Sequence, residues 1–129
     1  MQSFTIRGRL PSLNQYINAE RTNRYAAAKM KSDIQKLIGA EIRRSNLKQV
    51  KSPVKLIYRF FEPNRRRDKD NIAAVAHKFV QDSLVQCGIL ENDGWDYVAG
   101  FSDEFDVDKI NPRIEVFVVE SMPEDNQVH

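Results

Sequence analysis

The sequence predicts an α+β fold: a small mixed or antiparallel sheet with two helices packed on it, in the order β-α-β-α-β-β. Two observations carry this. Three stretches alternate apolar and polar residues with period two, and two longer stretches repeat apolar residues at helical spacing. Length sets the scale: 129 residues are one domain's worth of chain, enough to bury a single core.

The first strand is expected over Ser3–Arg9, with Phe4 and Ile6 on one face and Thr5 and Arg7 on the other. Leu10-Pro11-Ser12-Leu13-Asn14 breaks it, because proline cannot continue an interior ladder. Tyr16 to Arg24 is polar and reads as an irregular arm or the start of a helix. From Tyr25 the pattern is helical, with Met30, Ile34, Leu37, Ile38 and Ile42 inward and Lys29, Lys36, Arg43 and Arg44 outward. Ser45 to Pro53 is a loop.

The second strand is Val54–Phe61, with Val54, Leu56, Tyr58 and Phe60 on one face, ended by Pro63-Asn64. A second helix runs from about Asn71 to Gln86, burying Ile72, Ala76, Phe79, Val80 and Leu84, with Gly88 as a left-handed stop. Ile89 to Gly94 forms a turn. Two further strands are expected near Tyr97–Phe105 and Arg113–Glu120, parted by a hairpin-type break at Asn111-Pro112. Residues 1–120 are then one domain, and 121–129 a flexible tail.

Composition narrows the function. The single Cys87 excludes an internal disulfide, and with only His77 and His129 beside it no zinc centre can be built. A hard cation on oxygen ligands is the metal option left. No run of eighteen apolar residues and no charged-then-apolar leader is present, so a soluble, cytoplasmic protein without membrane contact is expected. Residues 1–69 hold 17 Lys/Arg against 5 Asp/Glu and residues 70–129 hold 3 against 13, a net +12 against −10. A basic half suggests a polyanionic partner; two solvated faces that attract each other give the same count.

The chemistry concentrates in Arg65-Arg66-Arg67-Asp68-Lys69-Asp70-Asn71, read with Asn92-Asp93 one helix later. An extended entry would put Asp68 and Asp70 on one side, because strand side chains alternate. Asp70 or Asn71 is placed to cap the helix, whose N-terminus tolerates ionised carboxylates. Paired carboxylates beside arginines suggest a Mg²⁺ site next to a phosphate site. Capping and ion pairing with Arg67 is the plainer alternative. Asp93 precedes glycine, where aspartate is ordinary turn chemistry. Asp96 and Asp103 read as surface, His77 as ordinary surface, and Trp95, Tyr97 and Phe101 as core or dimer contacts. Tyr16 and Tyr25 could stack on an opened base or pack in the core.

Arg67-Asp68-Lys69-Asp70-Asn71, the Lys78-x-x-x-Asp82-Ser83-Leu84 segment, Gly88 and Asn92-Asp93 together resemble the RusA family of Holliday junction resolvases, as does the opening Leu10–Asn14 turn. The resemblance spans roughly residues 4 to 105 and is most specific over 65–93. It implies a homodimeric, Mg²⁺-dependent endonuclease (Mn²⁺ a possible substitute) that nicks four-way DNA junctions symmetrically, with no small-molecule cofactor. Asp68, Asp70 and Asp93 match the family's metal-binding aspartates, and Lys78 matches its catalytic lysine. Arg65, Arg66, Arg67 and Lys69, with Arg21 and Arg24 in the arm, are the expected DNA contacts. Two departures stand out. The lysine normally lies four residues past the second aspartate, where this chain has Ala74; Lys78 lies eight past, so Lys69 or an arginine is an alternative. Asp103-Glu104 stand where relatives often carry a basic residue. The displaced lysine makes a junction-binding accessory protein with a degenerate nuclease site the alternative reading.

Overall fold

The computed structural model describes residues 1–120, so the tail reading at 121–129 lies outside the described residues. The observed order is β1 (Gln2–Arg7), α1 (Leu13–Thr22), α2 (Arg24–Arg44), β2 (Val54–Glu62), α3 (Lys69–Gln86), β3 (Val98–Val107) and β4 (Arg113–Glu120). The α+β class and the four strands stand, but among the described residues there are three helices, not two. The polar arm is α1, a helix with no fully buried residue, which is why apolar periodicity missed it. Ser12 starts it with a capping box, its hydroxyl accepting from the Gln15 N–H while the Gln15 side chain accepts from the Ser12 N–H. Only Asn23 separates it from α2, and the Asn23 side chain accepts from the N–H groups of Tyr25 and Ala26.

The sheet order is β1-β4-β2-β3. β4 runs antiparallel to both β1 and β2, while β2 and β3 are parallel, joined by α3 as a crossover. The hairpin expected at Asn111-Pro112 is therefore absent. β3 and β4 flank opposite sides of β2, and residues 108–112 pass over its end, where the Asp108 N–H donates to the Glu62 carbonyl at 2.8 Å. Two strand spacings are about 10 Å, which five residues span comfortably.

One sheet face carries Phe4, Ile6, Leu56, Tyr58, Phe60, Ile114, Val116 and Val118, all buried. Ile34, Ile38 and Ile42 of α2 and Val75, Phe79, Val80 and Leu84 of α3 close over it. Gly88 ends α3 at φ +76°, and the N–H of Ile89 reaches back to the carbonyl of Leu84. This two-layer arrangement leaves the C-terminal end of β2 beside the N-terminus of α3. The opposite end of the sheet holds the turn after α3, where Val50 and Val54 donate to the carbonyls of Ile89 and Tyr97.

Candidate metal and nucleic-acid site

α3 begins at Lys69, two residues earlier than the periodicity suggested, so Asp68 rather than Asp70 or Asn71 occupies the N-cap. Asp68 is extended (φ −70°, ψ 146°) and Asp70 is already helical, so strand alternation does not set their relative direction. The cap is also unusual chemically. The Asp68 carboxylate accepts none of the helix's free N–H groups, although that is what an N-cap aspartate ordinarily does. Asp70 Oδ1 accepts from the adjacent Asn71 N–H at 3.0 Å. Both residues are exposed, and neither pairs with a cation among the described residues. Two oxygen ligands are thus available at the positive end of a helix.

The arginines divide. Arg67 is half-buried and held on three sides: Nε and Nη2 donate to Glu62 Oε1 and Oε2 at 3.0 and 2.8 Å, and Nη1 donates to the Leu10 carbonyl at 2.8 Å. Glu62 is buried and also accepts from Arg9 at 3.1 Å. Arg67 is thereby a buttress that ties the β2–α3 connection to the segment after β1. Arg65 and Arg66 are exposed and make no ion pair among the described residues. An Asn64 side chain accepting from the Arg66 N–H at 3.0 Å sets their turn. Lys69 lies exposed, with Nζ 5.5 Å from the Phe105 ring centre. A cleft of about 370 Å³ opens here, lined in part by Asn64, Arg65, Arg67, Lys69, Phe105 and Asp106.

Asp93 is elsewhere. It sits in the exposed turn at the start of β3, whereas Asp68 precedes α3; the 18 residues of α3 between them span about 27 Å. Among the described residues no three His, Cys, Asp or Glu side chains come together as a metal cluster. At the start of α3 the chain offers two carboxylates, Asp68 and Asp70, two residues apart, and no triad among the described residues. That pair suits Mg²⁺, which commonly takes one or two carboxylates and fills its shell with water and substrate phosphate. Lys78 is exposed eight residues beyond Asp70, about 12 Å along the helix axis, with Nζ 5.9 Å from the Phe79 ring centre. Arg21 and Arg24 are exposed around the α1–α2 elbow, with neither in an ion pair among the described residues.

Sequence reasoning misread His77 and Asp103. Neither is ordinary surface: His77 Nε2 lies 2.7 Å from Asp103 Oδ1, with both side chains about four-fifths covered. The His77 ring is 4.7 Å from Tyr58 and 4.3 Å from Phe101, centre to centre. The pair links α3 to β3 across the sheet's outermost strand. Burial pushes the Tyr58 phenol far above its ordinary range, the Asp103 charge adding to it against a lowering contribution from Gln81. The signal was present in the sequence, since His77 stands four past Ala73 and three before Val80, on the buried stripe. Trp95 and Phe101 are not core either, at 98% and 52% exposure.

No family model matches the chain, and a search of curated proteins finds no match. Among the described residues no helix is long and apolar enough to cross a membrane.

Proposed function

We propose that the protein is a Mg²⁺-dependent endodeoxyribonuclease selective for branched DNA, acting as a homodimer that resolves four-way junctions by paired nicks. The observation that carries the reading is the uncommitted Asp68 carboxylate at the cap of α3, two residues from Asp70 and beside exposed arginines. The likeness of the Arg67–Asn71 segment and of Asn92-Asp93 to the RusA family supports it. Asp68 and Asp70 would hold the ion. Bound there, Mg²⁺ supplies charge neutralisation at the scissile phosphate and acidifies an attacking water.

The remaining residues position the substrate. Arg65 and Arg66 bind flanking phosphates, to which guanidinium groups donate in pairs. Lys69 is the nearest free ammonium to the aspartates in sequence, and it takes the electrostatic role that Lys78, about 12 Å along the helix, fills less readily. Arg67 holds the loop in place through Glu62. Asp93 joins the reaction only if the partner's Asp93 is brought to this end of the molecule, which makes the dimer part of the site rather than an addition to it. A two-fold protein suits a two-fold substrate.

The test is a labelled mobile four-way junction and a matched linear duplex, each incubated with Mg²⁺ or with chelator. Symmetric nicks in the junction alone, abolished in Asp70→Asn, are expected. Tight junction binding without nicks in Mg²⁺ or Mn²⁺ would favour the second reading, an accessory protein with a degenerate site. The absence of a three-carboxylate cluster among the described residues is what speaks for that alternative.

A further inference from the structure

We infer that the outer edge of β3 is the seam along which a second copy of this chain pairs, antiparallel, about a two-fold axis at Ser102. The inference names the partner surface of the dimer proposed above. The seam itself does not depend on nuclease chemistry; its use to bring the partner's Asp93 to Asp68 and Asp70 rests on that reading.

β3 ends the sheet, so over ten residues its outward N–H and C=O groups have no strand partner among the described residues. Long open edges are sites of strand addition unless they are guarded. The other edge, β1, is shorter and partly covered: the Gln2 side chain exchanges two hydrogen bonds with the Lys48 backbone, at 2.9 and 2.7 Å. Among the described residues β3 has no such cover.

Two of its three charges are engaged within the chain, leaving the exposed Asp106. An inward-pointing charge discourages pairing, but Asp103 is held by His77 at 2.7 Å. Glu104 is drawn across the sheet by Arg59 at 3.2 Å. Trp95 in the turn before β3 and Phe101 and Val107 within it are three of the seven large exposed hydrophobics among the described residues.

Charge selects a second copy as the occupant and antiparallel as the direction. The start of β3 adjoins the acidic turn of Glu91, Asp93 and Asp96, while its end lies beside Lys69, next to Arg65 and Arg66. Antiparallel pairing sets Glu91, Asp93 and Asp96 of each copy near the exposed Arg65, Arg66 and Lys69 of the other, twice. Joining the β3 edge to the β1 edge would instead propagate without closure. An axis at Ser102 puts Asp103 opposite Phe101, Glu104 opposite Gly100 and Asp106 opposite Val98, so within β3 no two carboxylates face each other, and the one acidic pair in register, Asp96 with Asp108, lies beyond the strand ends. An axis at Asp103 would place like charges directly opposed, which is unfavourable.

The experiment is a cysteine cross-link on the full chain. Opposed residues in an antiparallel pair have Cα atoms about 4.5–5.5 Å apart, within disulfide reach. Ser102→Cys in a Cys87→Ser background is therefore expected to oxidise to a covalent dimer of two 15.0 kDa chains, while Asn18→Cys in the same background stays monomeric on denaturing gels. Sedimentation of the wild type should show a dimer. Amide exchange across residues 99–106 should slow as protein concentration rises, a reading that needs no variant.

A wild type that is monomeric at every concentration overturns the seam, as does a dimer with no Ser102→Cys cross-link and no protection of that strand. A cross-linked dimer that never nicks a junction leaves the seam standing and sinks the nuclease reading. Nicking by a protein without this cross-link does the reverse.

Discussion

Arg67 and Glu62 form a two-pronged ion pair, Nε to Oε1 at 3.0 Å and Nη2 to Oε2 at 2.8 Å, at the junction of β2 and α3. The Arg67 side chain is 17% exposed and that of Glu62 8%, so removing Arg67 leaves the buried Glu62 carboxylate with only the partly exposed Arg9 at 3.1 Å. We expect Arg67→Ala to cost about 3 kcal/mol of unfolding free energy, the scale for breaking a buried pair from one side. Arg67→Lys should recover little of it, because an ammonium cannot reproduce the fork. Urea unfolding checks both variants. An Arg67→Ala protein as stable as wild type would return Arg67 to the pool of phosphate-binding candidates.

Arg65 and Arg66 should behave oppositely. Each is exposed, so alanine there is expected to leave the unfolding midpoint within the usual surface range of about 0.5 kcal/mol. Each lost phosphate contact should flatten the log–log salt dependence of DNA affinity by about one unit. A fluorescence titration of junction DNA from low to moderate salt measures the slope. An unchanged slope in the double variant would remove these two arginines from the interface.

The contrast among the three arginines shows where sequence reading stopped. Runs of like residues look equivalent, yet one of these three is inward. Glu62 announced it: it continues the Val54, Leu56, Tyr58, Phe60 alternation and is buried with them, and a buried carboxylate requires a partner. The strands and the two apolar helices were legible because each buries one face and so repeats locally. α1 buries no residue fully, and only its Ser12–Gln15 capping box marks it. The order β1-β4-β2-β3 is set by pairings between distant segments, which no local period records. The Asp68–Asp70 pair was legible as a motif, but the distance to Asp93 was not. It follows from α3 running the length of the sheet before the chain turns back.

Asp68→Asn and Asp70→Asn should separate metal binding from folding. Both carboxylates are exposed, and Asp70 in the first turn contributes about half a kcal/mol through the helix dipole. Thermal midpoints should therefore stay close to wild type while calorimetric Mg²⁺ binding and junction nicking are lost and junction binding persists. Loss of binding together with nicking would mean that the aspartates shape the DNA surface and do not act through metal.

Asp108 predicts a pH effect at the β3–β4 crossing. Its carboxylate accepts from the N–H groups of Asn111 and Ile110 and from Arg113, and these bonds, that from Asn111 foremost, hold its pKa below the ordinary carboxylate value of 3.8. A depressed native pKa means that the unfolded chain takes up the proton first as pH falls. Its stabilisation is full above the unfolded value and disappears as pH drops through the lowered one. Asp108→Ala should thus be less stable at neutral pH and show a shallower loss of stability below about pH 4. Parallel acid titrations of the two proteins, followed by circular dichroism, give the comparison.

Two tyrosines in the basic arm looked alike in sequence, and the fold separates them. Tyr16 packs edge-on against Phe79 with ring centres 5.5 Å apart, so it belongs to the core's rim. Tyr25, the second residue of α2, near Arg21 and Arg24 in sequence, is 84% exposed and free to stack on a base. Under the branched-DNA reading, stacking is worth about 1–3 kcal/mol per base, so Tyr25→Ala should weaken junction binding roughly tenfold or more. Tyr25→Trp should keep it, since any large π-face serves. Tyr16→Ala should instead lower the thermal midpoint. A 2-aminopurine placed at the crossover brightens when unstacked from its neighbours and dims on an aromatic platform, so it reads the contact directly. If Tyr25→Ala binds the junction as tightly as wild type and leaves that signal unchanged, the arm contributes charge alone, and Arg21 and Arg24 carry what it does.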